Sequence, residues 1–108
     1  MNKITLLYFD GCPSWQSALE NLQKLVTSEK ILAEINLIKI ETPEQAQSER
    51  FLGSPSIRVN GMDLWPEERA NYTLSCRVYK TPAGMKGSPT IEMLRERLHE
   101  AISPVKSI

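Results

Sequence analysis

The stretch Tyr8–Trp15, "YFDGCPSW", decides how this chain is read. It joins an apolar run, "KITLLYF" (Lys3–Phe9), to a segment with helical periodicity. The run is short, rich in strand formers and ends at Asp10-Gly11, the pattern of a buried strand. Beyond Pro13, the residues Trp15, Leu19, Leu22 and Val26 recur at helical spacing, with Ala18 and Leu25 beside them. A lone cysteine, Cys12, therefore stands where a strand hands over to a helix.

Two further X-Pro pairs open helical segments, Thr42-Pro43 and Ser88-Pro89. Proline suits the first helical position, which makes the residue before it the N-cap. Thr42 and Ser88 carry oxygens that accept from free backbone N–H groups. Cys12 is expected to hold the same place in the first helix. There a thiolate is a better acceptor than a thiol, and the helix dipole favours its charge. That lowers the thiol pKa, the condition for a reactive cysteine. Against this stand the habit of free cysteines to be small buried fillers and the carboxylate of Asp10, which disfavours a thiolate.

Outward from this point the elements follow in order. "AEINLIKI" (Ala33–Ile40) reads as a second strand. A helix follows, capped by Thr42 with Gln45 completing a capping box, and Gly53 closes it. "SIRVN" (Ser56–Asn60) is a third strand. Residues 61–74, "GMDLWPEERANYTL", are irregular, apolar-rich and longer than a hairpin turn needs. "SCRVYK" (75–80) is expected to be the fourth strand, antiparallel to the third. After the loop "TPAGMKG" (81–87), "SPTIEMLRERLHEAI" (88–102) forms a last helix with Ile91, Leu94, Leu98 and Ile102 on one face and His99 in solvent. The tail 103–108 is expected to fray. The order βαβαββα implies an α/β domain, a four-stranded mixed sheet with helices on both faces.

"YFDGCPSW" together with "GSPSIRVNG" (Gly53–Gly61) resembles the thioredoxin-like superfamily, and the element order matches from about Lys3 to Ile102. The small glutaredoxin-like forms, which lack an extra N-terminal strand and helix, are the nearest in pattern. The resemblance implies that Cys12 is the nucleophile and that Pro55 is a cis-proline packed against it. It also implies that the backbone of Ser54 pairs with an extended peptide or thiol ligand. Residues 79–88 lie where such proteins hold glutathione, with Gly84, Gly87 and Ser88 offering N–H groups to a carboxylate at the helix start. A plain turn that needs glycines accounts for the same residues.

The chain departs from the family at Trp15, which stands where C-x-x-C has its second cysteine. Trp15 is either the first residue of the core stripe or the wall of a ligand pocket beside Pro13. Cys76 is not expected to substitute. Near the start of a strand antiparallel to the third, it would lie ~13 Å below the active-site end, and a disulfide needs Cα atoms within ~7 Å. The expectation is a one-cysteine thiol-disulfide oxidoreductase, its mixed disulfide at Cys12 released by an external thiol such as glutathione. The alternative is a non-catalytic module of the same fold that holds a peptide, a thiol or a soft metal ion. A peroxidase fits less well, because Phe9 stands where those enzymes resemble a Thr pattern.

Bulk properties agree with one small domain spanning residues 1–108. Thirteen basic and thirteen acidic residues leave no net charge, so nucleic acid is not an expected partner. Two cysteines and one histidine provide neither a disulfide framework nor a zinc site, and no bound cofactor is expected. The apolar run Ile4–Phe9 is too short for a signal peptide, and nothing approaches a membrane span. Two isolated thiols fit a reducing, cytoplasmic setting. The implied partner is a thiol or disulfide substrate, small or protein.

Overall fold

The computed structural model describes residues 2–102, so the expectation for the tail 103–108 lies outside the described residues. Nine elements follow in order: β1 (Asn2–Tyr8), α1 (Trp15–Ser28), β2 (Ala33–Lys39), α2 (Pro43–Glu49), β3 (Ser56–Val59), β4 (Met62–Asp63), β5 (Tyr79–Thr81), β6 (Gly84–Lys86) and α3 (Ile91–Ile102). The main sheet has the order β2-β1-β3-β4 and is mixed. β1 runs parallel to β2 from Asn2↔Ala33 to Tyr8↔Lys39, and antiparallel to β3 from Ile4↔Val59 to Leu7↔Ser56.

Alternation along the central strand builds two cores. Ile4 and Leu6 point to one face and, with Ile57 and Val59 of β3, pack on Ala18, Leu22 and Leu25 of α1 and Leu94 and Leu98 of α3. Leu7 points to the other face and meets Ile40, Ala46 and Phe51 around α2. Each fully buried side chain of this kind contributes about 1.5–3 kcal/mol. The stripes expected for α1 and α3 are the faces buried here, and helices do cover both sides of the sheet.

The second half departs from the expected order. The fourth strand of the sheet is β4, which pairs with β3 through Arg58↔Asp63 and Val59↔Met62. Residues 75–80 do not join that sheet as a strand: Tyr79–Thr81 folds back on Gly84–Lys86 as a separate hairpin. The reason is the turn at Asn60-Gly61, where both residues have positive φ (52° and 91°) and let the chain reverse at once. The antiparallel strand is thus used up immediately after the turn.

Of the three X-Pro helix starts, one behaves as expected. The Thr42 hydroxyl accepts from Gln45 N–H at 3.1 Å, and Pro43 opens α2. Ser88 is not the cap of α3, because Thr90 accepts from Met93 N–H at 3.1 Å directly before the apolar stripe. Nor does Gly53 end α2; Arg50 does, in the left-handed conformation. His99 is exposed as expected, with Nε2 2.6 Å from Glu29. Hydrogen bonds from Arg95 and then His99 hold the Glu29 carboxyl below its usual range. Among the described residues no helix is long and apolar enough to cross a membrane.

Candidate functional site

The loop after β1 is tightly folded. Gly11 lies so close to the Phe9 ring that a Cβ there would stand 2.6 Å from it, and Cys12 N–H donates to Phe9 C=O at 3.1 Å. Pro13 and Ser14 form a turn, and Ser14, not Cys12, is the N-cap of α1. Cys12 is therefore two residues short of the cap position, and its sulfur does not replace a cap oxygen. The nearby carboxylate is compensated: Asp10 pairs with Lys39 at 2.7 Å, and this bond raises the lysine pKa.

Cys12 is bonded to Cys76, with the two Cα atoms 5.7 Å apart. This overturns the expectation that Cys76 lies at the far end of the sheet. The path of residues 61–75 explains the difference. After β4 the chain has already climbed to the level of Ile57, where Leu64 N–H donates to Ile57 C=O at 2.9 Å. It then wanders outward through exposed residues 66–71, and Tyr72 N–H reaches Gln47 on α2 at 3.3 Å. It returns beside Ser54 at the carboxyl end of β1. The stretch 61–74 thus turns at the end opposite Cys12, as expected, but delivers the next residues to the site. The premise of two isolated thiols, and with it the argument for a reducing compartment, falls.

Ser54 anchors the returning segment. Its N–H donates to Ser75 C=O at 2.8 Å, and its C=O accepts from Arg77 N–H at 3.0 Å, a parallel bridge centred on Cys76. Its side-chain oxygen accepts from Phe9 N–H at 3.1 Å, tying the bridge to the loop that carries Cys12. The Ser54-Pro55 peptide is cis, as the resemblance implied, and Pro55 is fully buried. The backbone expected to pair with a ligand is occupied by the chain's own residues. Gly53 makes this possible. Its φ is +110°, and a Cβ would stand 2.9 Å from Arg77 Cβ, so only glycine admits the segment so closely.

Arg77 secures the segment from below. Its side chain is 4% exposed and reaches both carboxylate oxygens of Asp63, at 3.0 and 3.1 Å, as well as Ser56 at 3.4 Å and the carbonyl of Trp65. Its guanidinium also lies 5.1 Å from the centre of the Tyr79 ring. The Tyr79 hydroxyl donates to Pro55 C=O at 2.6 Å. Burial pushes the pKa of that hydroxyl well above its usual value, so it stays a donor.

The other candidates gather unevenly. Trp15 stacks on Tyr8, ring centres 4.1 Å apart, and packs on the core. Gly87 abuts Ser14, where a Cβ would stand 2.4 Å from the hydroxyl oxygen, so the loop before α3 does border the start of α1, and Ser88 follows it. Gly84 instead belongs to the β5–β6 hairpin and takes positive φ. Ser75, Arg77, Asp63 and Tyr79 are site residues that the sequence did not single out, and Cys76 was expected to lie away from Cys12. An even cysteine count was the available signal for Cys76, and an arginine inside an apolar run was the signal for a buried ion pair.

Chemically the pair is asymmetric. Cys12 is 3% exposed, whereas Cys76 is exposed. Of the two bonded residues, Cys76 is the one that faces solvent. Among the described residues no group of three or more His, Cys, Asp or Glu side chains is placed to hold a metal ion. No protein-family model matches the chain, and no curated protein is significantly similar to it.

Proposed function

We propose that the chain is a thiol-disulfide oxidoreductase of thioredoxin-like type that cycles between the Cys12–Cys76 disulfide and the dithiol. The observation that supports this reading is the bond itself: two cysteines far apart in sequence meet beside Ser54-Pro55, one exposed and one buried. Cys76 then takes the resolving role for which the one-cysteine reading had no candidate in the chain. In the reductive half-cycle an external thiolate, of which glutathione is one source, attacks the Cys76 sulfur. A new S–S bond forms there and Cys12 leaves as thiolate. A second thiolate attacks the external sulfur, releasing an external disulfide and the Cys76 thiolate. In the other half-cycle Cys12 thiolate attacks a substrate disulfide and expels one substrate sulfur. Cys76 thiolate then attacks Cys12, expels the second, and restores the starting bond.

The test is turnover with glutathione as reductant and a small mixed disulfide as substrate. Catalytic reduction is expected from the native chain and none above background from Cys12→Ser. Cys76→Ser is expected to accumulate a mixed disulfide at Cys12. Equal rates with and without Cys12 would end this reading.

A further inference from the structure

The two edges of the main sheet are finished differently. On one side β4 has two residues, and its Asp63 is held by the buried Arg77. On the other side β2 runs for seven residues in unbroken register with β1, without a proline or a bulge. The Ile40 N–H donates to Tyr8 C=O, and Leu32 C=O accepts from Asn2 N–H, so the even-numbered residues along β2 face β1. The odd-numbered ones therefore turn their N–H and C=O groups outward. The Lys39 carbonyl does so, and the Gln45 side chain takes it at 2.9 Å. Ala33, Ile35 and Leu37 are left, placed symmetrically about Ile35. Sheets blunt such an edge with lysine, proline or a bulge. Here the one lysine of the strand is drawn aside to Asp10 at 2.7 Å. Two leucines at this edge are exposed, Leu37 by 47% and Leu32 by 75%.

We propose that this edge is a dimer interface, occupied by β2 of a second copy of the chain, antiparallel across a two-fold axis at Ile35. That register uses every outward group that Gln45 leaves. Ile35 pairs with Ile35 of the second copy, and Ala33 with its Leu37, each pair exchanging two N–H···O=C bonds. Moving the axis to Asn36 would instead pair Ala33 with Lys39, whose carbonyl Gln45 already holds. The side chains agree with the axis at Ile35. On the α1 face the exposed Leu37 lies against the small Ala33 of the other copy. On the α2 face the exposed Leu32 meets the half-buried Ile38, and Glu34 stands opposite Asn36. Within one chain Asn36 Nδ2 already donates to Glu34 at 3.1 Å, so amide and carboxylate meet again across the seam. No like charges face each other: β2 carries only Glu34 and Lys39, and Lys39 falls opposite Ile31. The two sheets become one, with both β4 edges outermost. The two Cys12–Cys76 bonds lie toward opposite ends of the joined sheet, so the dimer stands apart from the redox reading.

Sedimentation equilibrium on the full chain tests the association, and amide hydrogen exchange tests its place. The contact is narrow, so a weak dimer is expected, with the mass doubling between about 10 μM and about 1 mM. Over that range exchange at Ile35 and Leu37 is expected to slow about fivefold, while the Asn36 and Ile38 amides, already bonded to β1, hold. A monomer throughout would overturn the proposal. So would a dimer whose Ile35 and Leu37 amides exchange as fast as before, because another surface would then be joined. The register is read by charge at Asn36, whose side chain is exposed. Asn36→Asp sets a carboxylate opposite Glu34 on both sides of the axis and is expected to weaken association about tenfold. Asn36→Lys sets opposite charges there and is expected to strengthen it. Equal or reversed effects of the two substitutions would overturn the pairing about Ile35.

Discussion

Residues 2–59 and residues 64–81 are held by different forces. The first region is a frame: β1 lies between β2 and β3, and apolar side chains at strand and helix spacing fill a core on each face. The second region has few such residues. It is tied at points, by the guanidinium of Arg77, the hydroxyl of Tyr79, two hydrogen bonds to Ser54, and one covalent bond. A frame of this kind spreads its stability over many contacts. The tied segment depends on a few specific bonds, and one of them is a disulfide.

The comparison can be broken most forcefully at the disulfide. The bond links residues 64 apart, and a loop of that size stabilises the folded chain by about 4 kcal/mol in the chain-entropy account. Urea unfolding with and without reductant is expected to show a difference of this order, matched by Cys76→Ser. A difference near zero would mean that the tie adds nothing to the frame. Arg77→Ala comes next. It leaves Asp63, 10% exposed at the side chain, without its counter-charge, and is expected to cost about 3 kcal/mol. The loss should appear in both redox states, together with weaker protection of the Ser54 amide in the oxidised chain. Thr42→Ala is the smallest change, about 1 kcal/mol for a lost cap. It lies in the frame, so the same loss is expected in oxidised and reduced chains; a redox-dependent loss would show that the two regions are coupled.

What was legible in the sequence follows the same division. The short apolar run Ile4–Phe9 and the stripes Trp15-Leu19-Leu22-Val26 and Ile91-Leu94-Leu98-Ile102 record burial locally, so the first strand and the two flanking helices could be read, and the element order gave helices on both faces of the sheet. Thr42-Pro43-Gln45 carries its cap locally. Cys12-Pro13 and Ser88-Pro89 look the same on paper, yet a turn intervenes at Ser14 and Thr90 takes the later cap. Such choices depend on how a loop packs, as Gly87 does against Ser14. The placement of residues 75–77 was illegible because it depends on non-local pairs, Arg77 with Asp63 and Ser54 with Ser75. The pattern "SCRVYK" alternates like a strand and does alternate in burial; its partner was misassigned because β4 had already taken the edge of β3.

The disulfide also gives the oxidised chain a covalent topology. Residues 12–76 form a closed ring that contains α1, β2, α2, β3 and β4, with two tails leaving it. The first tail is β1, threaded between β2 and β3 at the centre of the sheet. A pull on the two ends therefore loads the central strand and the last helix while the ring stays shut. Reduction opens the ring and adds roughly 210–230 Å of contour at the fully extended reach per residue. Under load the oxidised molecule is a short tether with a hidden length that is released when the Cys12–Cys76 bond is cleaved.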